Sequence, residues 1–328
     1  MLTIDYDLKK SVREAFGKEL VELGRNNANI VVLDADLSCS TQTKFFAKEF
    51  PERFFNVGIA EQNLIATAAG LALEGKIPFA ATFAVFATGR TYDQIRASVC
   101  YQKANVKIIG THGGITVGED GATHQALEDV SLMRGLPGMT VIVPADSNET
   151  AQAVAFAAEH DGPVYIRISR NNLPDIYPEG YKFNPFKANV LKEGNDLTII
   201  ANGDILSEVC KAVEILAQKG VDAELISMPV VKPFDAQSVI ESAKKTGKVY
   251  TIENHSIYGG LGSAVAEVLS ENLPTKVVRI GMVDSFGQSG TPKELLKFTL
   301  FVFLWNLTGW KHRIILKEHK PFVNGKTI

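Results

Sequence analysis

The feature that most constrains this chain is an alternation, from residue 29 onward, of short runs rich in Val, Ile and Phe with segments of helical period. NIVVLDA, RFFNVGIA, PFAATFAVF, NVKIIGT, TVIVPA and PVYIRIS read as strands; EQNLIATAAGLALEG, RTYDQIRASVCYQ, HQALEDVSLMRGL and SNETAQAVAFAAEH read as the helices between them. This order predicts βαβ units, with a parallel sheet covered on both faces. Ligands of such sheets bind beyond the carboxyl ends of the strands. The loops that follow those ends, DLSCST, EQN, THGGITVGEDGATH and SRNNLP, are therefore the ones expected to carry function.

Residues 172–194 contain three prolines and little periodicity, which predicts a linking stretch. Beyond it, LTIIANG, DAELISMPVV, KVYTIEN and TKVVRIG are strand-like, separated by the helical SEVCKAVEILAQKG, DAQSVIESAKK and GGLGSAVAEVLSEN. The expected fold class is α/β with two doubly wound, mostly parallel-sheet domains, over residues 1–175 and 195–297, joined by a linker over 176–194. Residues 298–328 form an atypical tail holding both tryptophans and a basic end. Their composition departs from all that precedes them, and they read as a frameshifted or appended end rather than a genuine terminal strand and arm.

Composition narrows the function classes. The net charge is −3 and the 34 basic residues are scattered, so no electrostatic footprint for nucleic acid or an anionic membrane is present. Cys39, Cys100 and Cys210 have no metal-ligand spacing and are odd in number, which fits a reduced, cytoplasmic protein. The opening MLTIDYDLKKSVREAF lacks an apolar signal core, and no apolar stretch approaches the roughly 20 residues needed to span a bilayer.

Three segments carry candidate chemistry. GEDGATHQALED, residues 118–129, is dense in ionisable groups, and His112 stands six residues before its first glycine. Two histidines and two acids in a glycine-rich loop supply proton donors and acceptors near neutral pH; equally, they suit a solvated loop with capping groups. In VGIAEQN, Glu61 follows a strand and opens a helix whose buried face is marked by Leu64, Ile65, Ala68 and Leu71. It is either a first-turn acid favoured by the helix dipole or a carboxyl held in a pocket. In TFAVFATGRTYDQIR, Phe83 and Phe86 are either core residues or a surface for stacking a planar heterocycle.

Together and in this order, the three segments resemble the pyrimidine-binding domain of transketolases, and the similarity runs from about residue 5 to 297. The resemblance implies that residues 1–175 are a thiamine-diphosphate pyrimidine-binding domain and residues 195–297 a transketolase C-terminal-type domain. Glu61 matches the family glutamate that hydrogen-bonds the aminopyrimidine ring nitrogen, making the imino tautomer the base that deprotonates the thiazolium carbon; such proton sharing requires a dry site. Phe83 and Phe86 match the aromatic positions that hold the pyrimidine. A third aromatic of some transketolases is Gly89 here, so its stacking is not carried over. His112 and His124 match histidines that hydrogen-bond donor-sugar oxygens and move protons during carbon–carbon cleavage. Asp120 matches the acid that reads a sugar hydroxyl, and Arg170 the phosphate-binding arginine, whose fork suits a sugar phosphate. Asp36 matches an acid near the cofactor and Ser40 a phosphate-contacting hydroxyl, whereas Asp34 reads as structural.

The family anchors Mg²⁺ and the diphosphate through a GDG motif and a downstream Asn, and no GDG occurs here; NGDI at 202–205 lacks the second glycine. The resemblance therefore implies no metal ligand from this chain. It implies instead a separate amino-terminal subunit that carries the GDG motif and its Asn, and a site at the interface of an α2β2 complex with a homodimer contact. The implied activity is transfer of a two-carbon ketol group from a ketose phosphate to an aldose phosphate in the pentose phosphate pathway. Deoxyxylulose-phosphate synthase shares the AEQ and THQ elements, but its GADG and YPRG-like strings are GEDG and RISR here. A 2-oxo acid dehydrogenase beta-type subunit has the same domain order and the same reliance on a partner, with motifs that fit less well. A non-catalytic partner subunit could keep the fold too, although the intact Glu61 argues against it.

Overall fold

The structure, a computed structural model, describes residues 4–297; the tail expected at 298–328 lies outside the described residues. The strands are Lys9–Ser11 (β1), Ile30–Asp34 (β2), Phe54–Asn56 (β3), Ile77–Phe83 (β4), Lys107–Thr111 (β5), Thr140–Ile142 (β6), Val164–Ile168 (β7), Asn172–Pro174 (β8), Asn189–Lys192 (β9), Leu197–Ala201 (β10), Ala223–Ser227 (β11), Val230–Lys232 (β12), Val249–Ser256 (β13) and Val277–Met282 (β14). Seven of them form a sheet in the order β12-β6-β7-β5-β4-β2-β3, parallel except for β12. Five form a second sheet, β14-β13-β10-β11-β9, parallel except for β9. The two-domain α/β architecture expected from the alternation is present.

The first sheet is apolar on both faces because helices cover both. Leu64, Ile65, Ala68 and Ala69 of the helix Glu61–Leu73 pack with Val31, Leu33 and Ala80 on one side. Phe16 and Leu20 of the helix Val12–Asn26, with Ala153, Val154 and Ala157 of the helix Ser147–Glu159, cover Ile30, Val32 and Phe79 on the other. Each fully buried side chain of the larger type contributes roughly 1.5–3 kcal/mol. The caps are of the kind the sequence offers: Ser11 accepts from the Glu14 N–H, and Asp146 from the Glu149 N–H. Among the described residues no helix is long and apolar enough to cross a membrane.

Two stretches run differently from the sequence reading. Within the expected linker, Ile176 and Tyr177 join the second core and Asn189–Lys192 pairs as an edge strand of the second sheet. DAELISMPVV, a single strand-like run, divides at Pro229. Ala223–Ser227 stays in the second sheet, while Val230–Lys232 returns to pair antiparallel with β6 at the edge of the first. Proline has no N–H to give to a ladder, and its carbonyl instead accepts from the Val143 N–H at 2.7 Å. The two units are thus interlocked at this edge.

Candidate active site

Strand register assembles the site. Phe83 of β4 lies beside Thr111 of β5, which lies beside Ile168 of β7, and Asp34 of β2 lies beside Ala81 of β4. The residues that follow these carboxyl ends, Asp36 to Ser40, Phe86, His112 and Arg170, therefore emerge along one edge of the sheet, and Glu61 opens the helix that follows β3.

Glu61 is only 3% exposed. Its Oε2 accepts a hydrogen bond of 2.8 Å from Arg90 Nη1, and its Oε1 accepts none among the described residues. The Arg90 guanidinium is half exposed and lies over the Phe86 ring, 4.6 Å from its centroid. Phe86 and Phe83 are nearly parallel, with centroids 6.0 Å apart and planes at 14°. His112 stacks on Phe83 at 3.9 Å, and His124 presents an edge to Phe86 at 5.3 Å. One carboxyl group, two phenyl rings and two imidazoles thus form one contiguous cluster.

His112 is the most perturbed of these groups. It adopts φ of 60°, in the left-handed region, which is uncommon outside glycine. Its Nδ1 sits 2.9 Å from Thr111 Oγ1. Burial lowers its pKa to about 3, helped by the charges of Arg13 and Arg170 and by His124. The ring is therefore neutral through the physiological range and can exchange hydrogen bonds without carrying charge.

Arg170 donates to the Val117 carbonyl and to Asp120 Oδ2 at 3.2 Å, with Glu119 at 3.7 Å. Beside it stands Arg13, which the sequence reading left among the charges of the first helix. Arg13 Nε donates to the Arg170 carbonyl at 3.1 Å and Nη1 to the Ser40 carbonyl at 2.7 Å; burial and Arg170 lower its pKa. No local signal marks Arg13, because its partners lie 157 and 27 residues away. Asp36, at φ of 65° and exposed, accepts from Asn56 Nδ2 at 3.0 Å. Asp34, by contrast, is buried and accepts from the Leu37 N–H, Thr41 and Thr43, so it shapes the turn that presents Asp36 and Ser40.

Residues 9–175 match the transketolase pyrimidine-binding domain family and residues 186–302 the transketolase C-terminal domain family. The chain belongs to the transketolase family. It is 52% identical, over 88% of its length and 92% of the relative's, to a transketolase C-terminal section of Methanocaldococcus jannaschii. It is 46% identical, over 85% of its length and 87% of the relative's, to a 6-deoxy-6-sulfo-D-fructose transketolase subunit of Clostridium sp. strain MSTE9. Among solved structures, a split gene transketolase described as an inactive beta4 tetramer superposes with a TM-score of 0.82 at 54% identity, covering 88% of this chain and 93% of that one. The transketolase of Campylobacter jejuni superposes at 0.76 with 25% identity, and there the match spans 90% of this chain but 47% of the other. This transketolase-family chain thus corresponds to about half of an undivided member. Among the described residues, no three His, Cys, Asp or Glu side chains converge as a metal-ligand set.

Proposed function

We propose that this chain is the second subunit of a split transketolase, which transfers a two-carbon ketol unit from a ketose phosphate to an aldose phosphate when a separate amino-terminal subunit completes its site. The observation that carries the reading is Glu61: a buried side chain with one oxygen that has no hydrogen-bond donor among the described residues, joined through Arg90 to two near-parallel phenyl rings. An acceptor of that kind beside a stacking surface fits the pyrimidine half of thiamine diphosphate. When bound, the cofactor supplies the electron sink for carbon–carbon cleavage.

The chain's own residues do the rest. Glu61 holds a proton against a ring nitrogen, and its burial keeps competing water away. Phe83 and Phe86 orient the ring, and Asp36 serves as the acid near the cofactor that the family resemblance implies. His112, held neutral, and His124 hydrogen-bond the sugar oxygens and pass protons, while Asp120 accepts from a sugar hydroxyl. Arg170, backed by Arg13, receives the anionic end of the sugar, and the Ser40 hydroxyl, which makes no hydrogen bond among the described residues, is available to the same oxygens. Mg²⁺ and the diphosphate take their ligands from the partner subunit. The solved relative described as an inactive beta4 tetramer supports this division.

The test is reconstitution. The purified chain alone is titrated with thiamine diphosphate and Mg²⁺ by calorimetry, then assayed for ketol transfer with and without the partner. The reading expects weak binding and no turnover alone, and activity with the partner. Tight binding and turnover by the chain alone would overturn it.

A further inference from the structure

The loop from His112 to Leu127 is fastened from outside its own domain. Asn254, buried on β13 of the second sheet, accepts the Ile115 N–H at 3.0 Å through Oδ1 and donates to Thr116 Oγ1 at 3.1 Å through Nδ2. The same Nδ2 donates to both oxygens of Asp204, at 3.2 and 3.0 Å. Asp204, buried in the turn Gly203–Ile205 after β10, accepts from Thr116 Oγ1 at 2.5 Å and from Ser169 Oγ at 3.2 Å. Gly114, at φ of 79°, approaches Asn254 so closely that a Cβ would collide with its amide. Farther along the loop, the Leu127 carbonyl accepts from the Ser256 N–H at 2.8 Å, and Gln125 Nε2 donates to the Gln288 carbonyl at 3.0 Å. Both ends of the segment that bears Asp120 and His124 are thus tied to the second unit, the first tie three residues beyond His112.

We propose that Asn254 and Asp204 are positioning residues: the second unit uses them to hold the backbone at Ile115 and Thr116, and thereby the His112 ring, in the geometry the sugar requires. The pair is matched to this task. An Asn side chain offers a donor and an acceptor at once, so one residue can take a backbone N–H and orient the Thr116 hydroxyl onto Asp204. The hydroxyl, the amide and the carboxylate form a closed set within a buried environment, where an unmatched member is costly. Thr116 lies four residues from His112 and four from Asp120, so freedom at this point reaches both. Only the identity of the ligand rests on the ketol-transfer reading; the positioning itself does not.

The test uses the full chain, alone for NMR and with its partner for kinetics. In Asn254→Ala, exchange of the Ile115 amide should accelerate about tenfold, in line with the loss of one or two hydrogen bonds, and the His112 Cε1–H resonance should move. Thr116→Val should reproduce both effects with no substitution in the second unit, and Thr116→Ser, which keeps the hydroxyl, should restore the wild-type signals. In the complex, Asn254→Ala and Thr116→Val should raise the donor-sugar KM by about tenfold and leave thiamine diphosphate binding as in the wild type. Unchanged Ile115 exchange in Asn254→Ala, or accelerated exchange with an unmoved His112 signal, would overturn the proposal. A wild-type complex without ketol transfer, but with the NMR effects intact, would remove the functional reading and leave the positioning role standing.

Discussion

Glu61→Gln separates a residue that serves the cofactor from one that serves only the fold. The side chain is buried, nearly isosteric with its replacement, and opens a helix, so the fold should survive. Its stabilising contacts are one hydrogen bond from a half-exposed Arg90 and its place at a helix N-terminus. The dipole contribution is about 0.3–1 kcal/mol. A charge-assisted bond is worth about 1.5–3 kcal/mol when shielded, but solvent at Arg90 brings it toward the surface range of about 0–1 kcal/mol. A Gln amide oxygen can still accept from Arg90, so the total loss should be about 1 kcal/mol, or a fall of about 1–2 °C in melting temperature for a chain of this length. The amide cannot hold a proton as the carboxylate does. In the reconstituted complex, hydrogen–deuterium exchange at the cofactor's thiazolium carbon, followed by NMR, should therefore slow by about 10²–10⁴, the span typical of a positioned acid or base. Wild-type exchange together with the small loss of stability would reduce Glu61 to a first-turn acid and refute the reasoning.

Other expectations rest on separate features. Arg170→Ala should raise the KM for phosphorylated donors by about 10–150-fold, the equivalent of a charge-assisted contact worth about 1.5–3 kcal/mol, and should act less on an unphosphorylated donor; equal losses on both would refute the assignment. Arg13→Ala should weaken the same donors, because it removes the donor that orients the Arg170 and Ser40 carbonyls; steady-state kinetics on the reconstituted complex checks this. His112 is held near a pKa of about 3 in the folded chain against 6.5 as its ordinary value. Its contribution is therefore complete above about pH 6.5 and is lost as pH falls toward 3, at about 1.4 kcal/mol per pH unit; His112→Gln should flatten denaturant-measured stability between pH 6 and 4.5. Glu149, buried at the junction with the second unit, has its carboxyl raised to about 8 by burial and by Asp146. Its neutral form is favoured by folding, so the stabilisation is complete below about pH 4.5 and declines up to pH 8; Glu149→Gln should lessen the loss of stability between pH 6 and 8.

The sequence by itself determined the fold class and most of the sheet, because a strand covered on both faces must be an apolar run and a helix between two such strands must show its period. Runs such as IVVLD and VYIRI occupy fully buried strands for that reason. The loops that carry Glu61 and His112 were legible on the same ground, since both follow strand ends and parallel register brings consecutive ends to one edge, whereas Phe83 and Phe86 were marked by the family resemblance. Packing between distant segments added Arg13, Asn254 and Asp204 to that neighbourhood. Arg13 lies within an ordinary amphipathic helix and reaches Arg170 across 157 residues of chain. Asn254 and Asp204 reach Ile115 and Thr116 across 139 and 88. Val230–Lys232 has strand character in sequence, but only packing sends it to the first sheet and not the second. The pKa of His112 falls well below the ordinary histidine range only because the packed chain buries it, with smaller contributions from the charges of Arg13 and Arg170. Periodicity records what a residue's own element buries; desolvation and pairing between distant segments depend on where the elements meet, and that is settled by the packed chain.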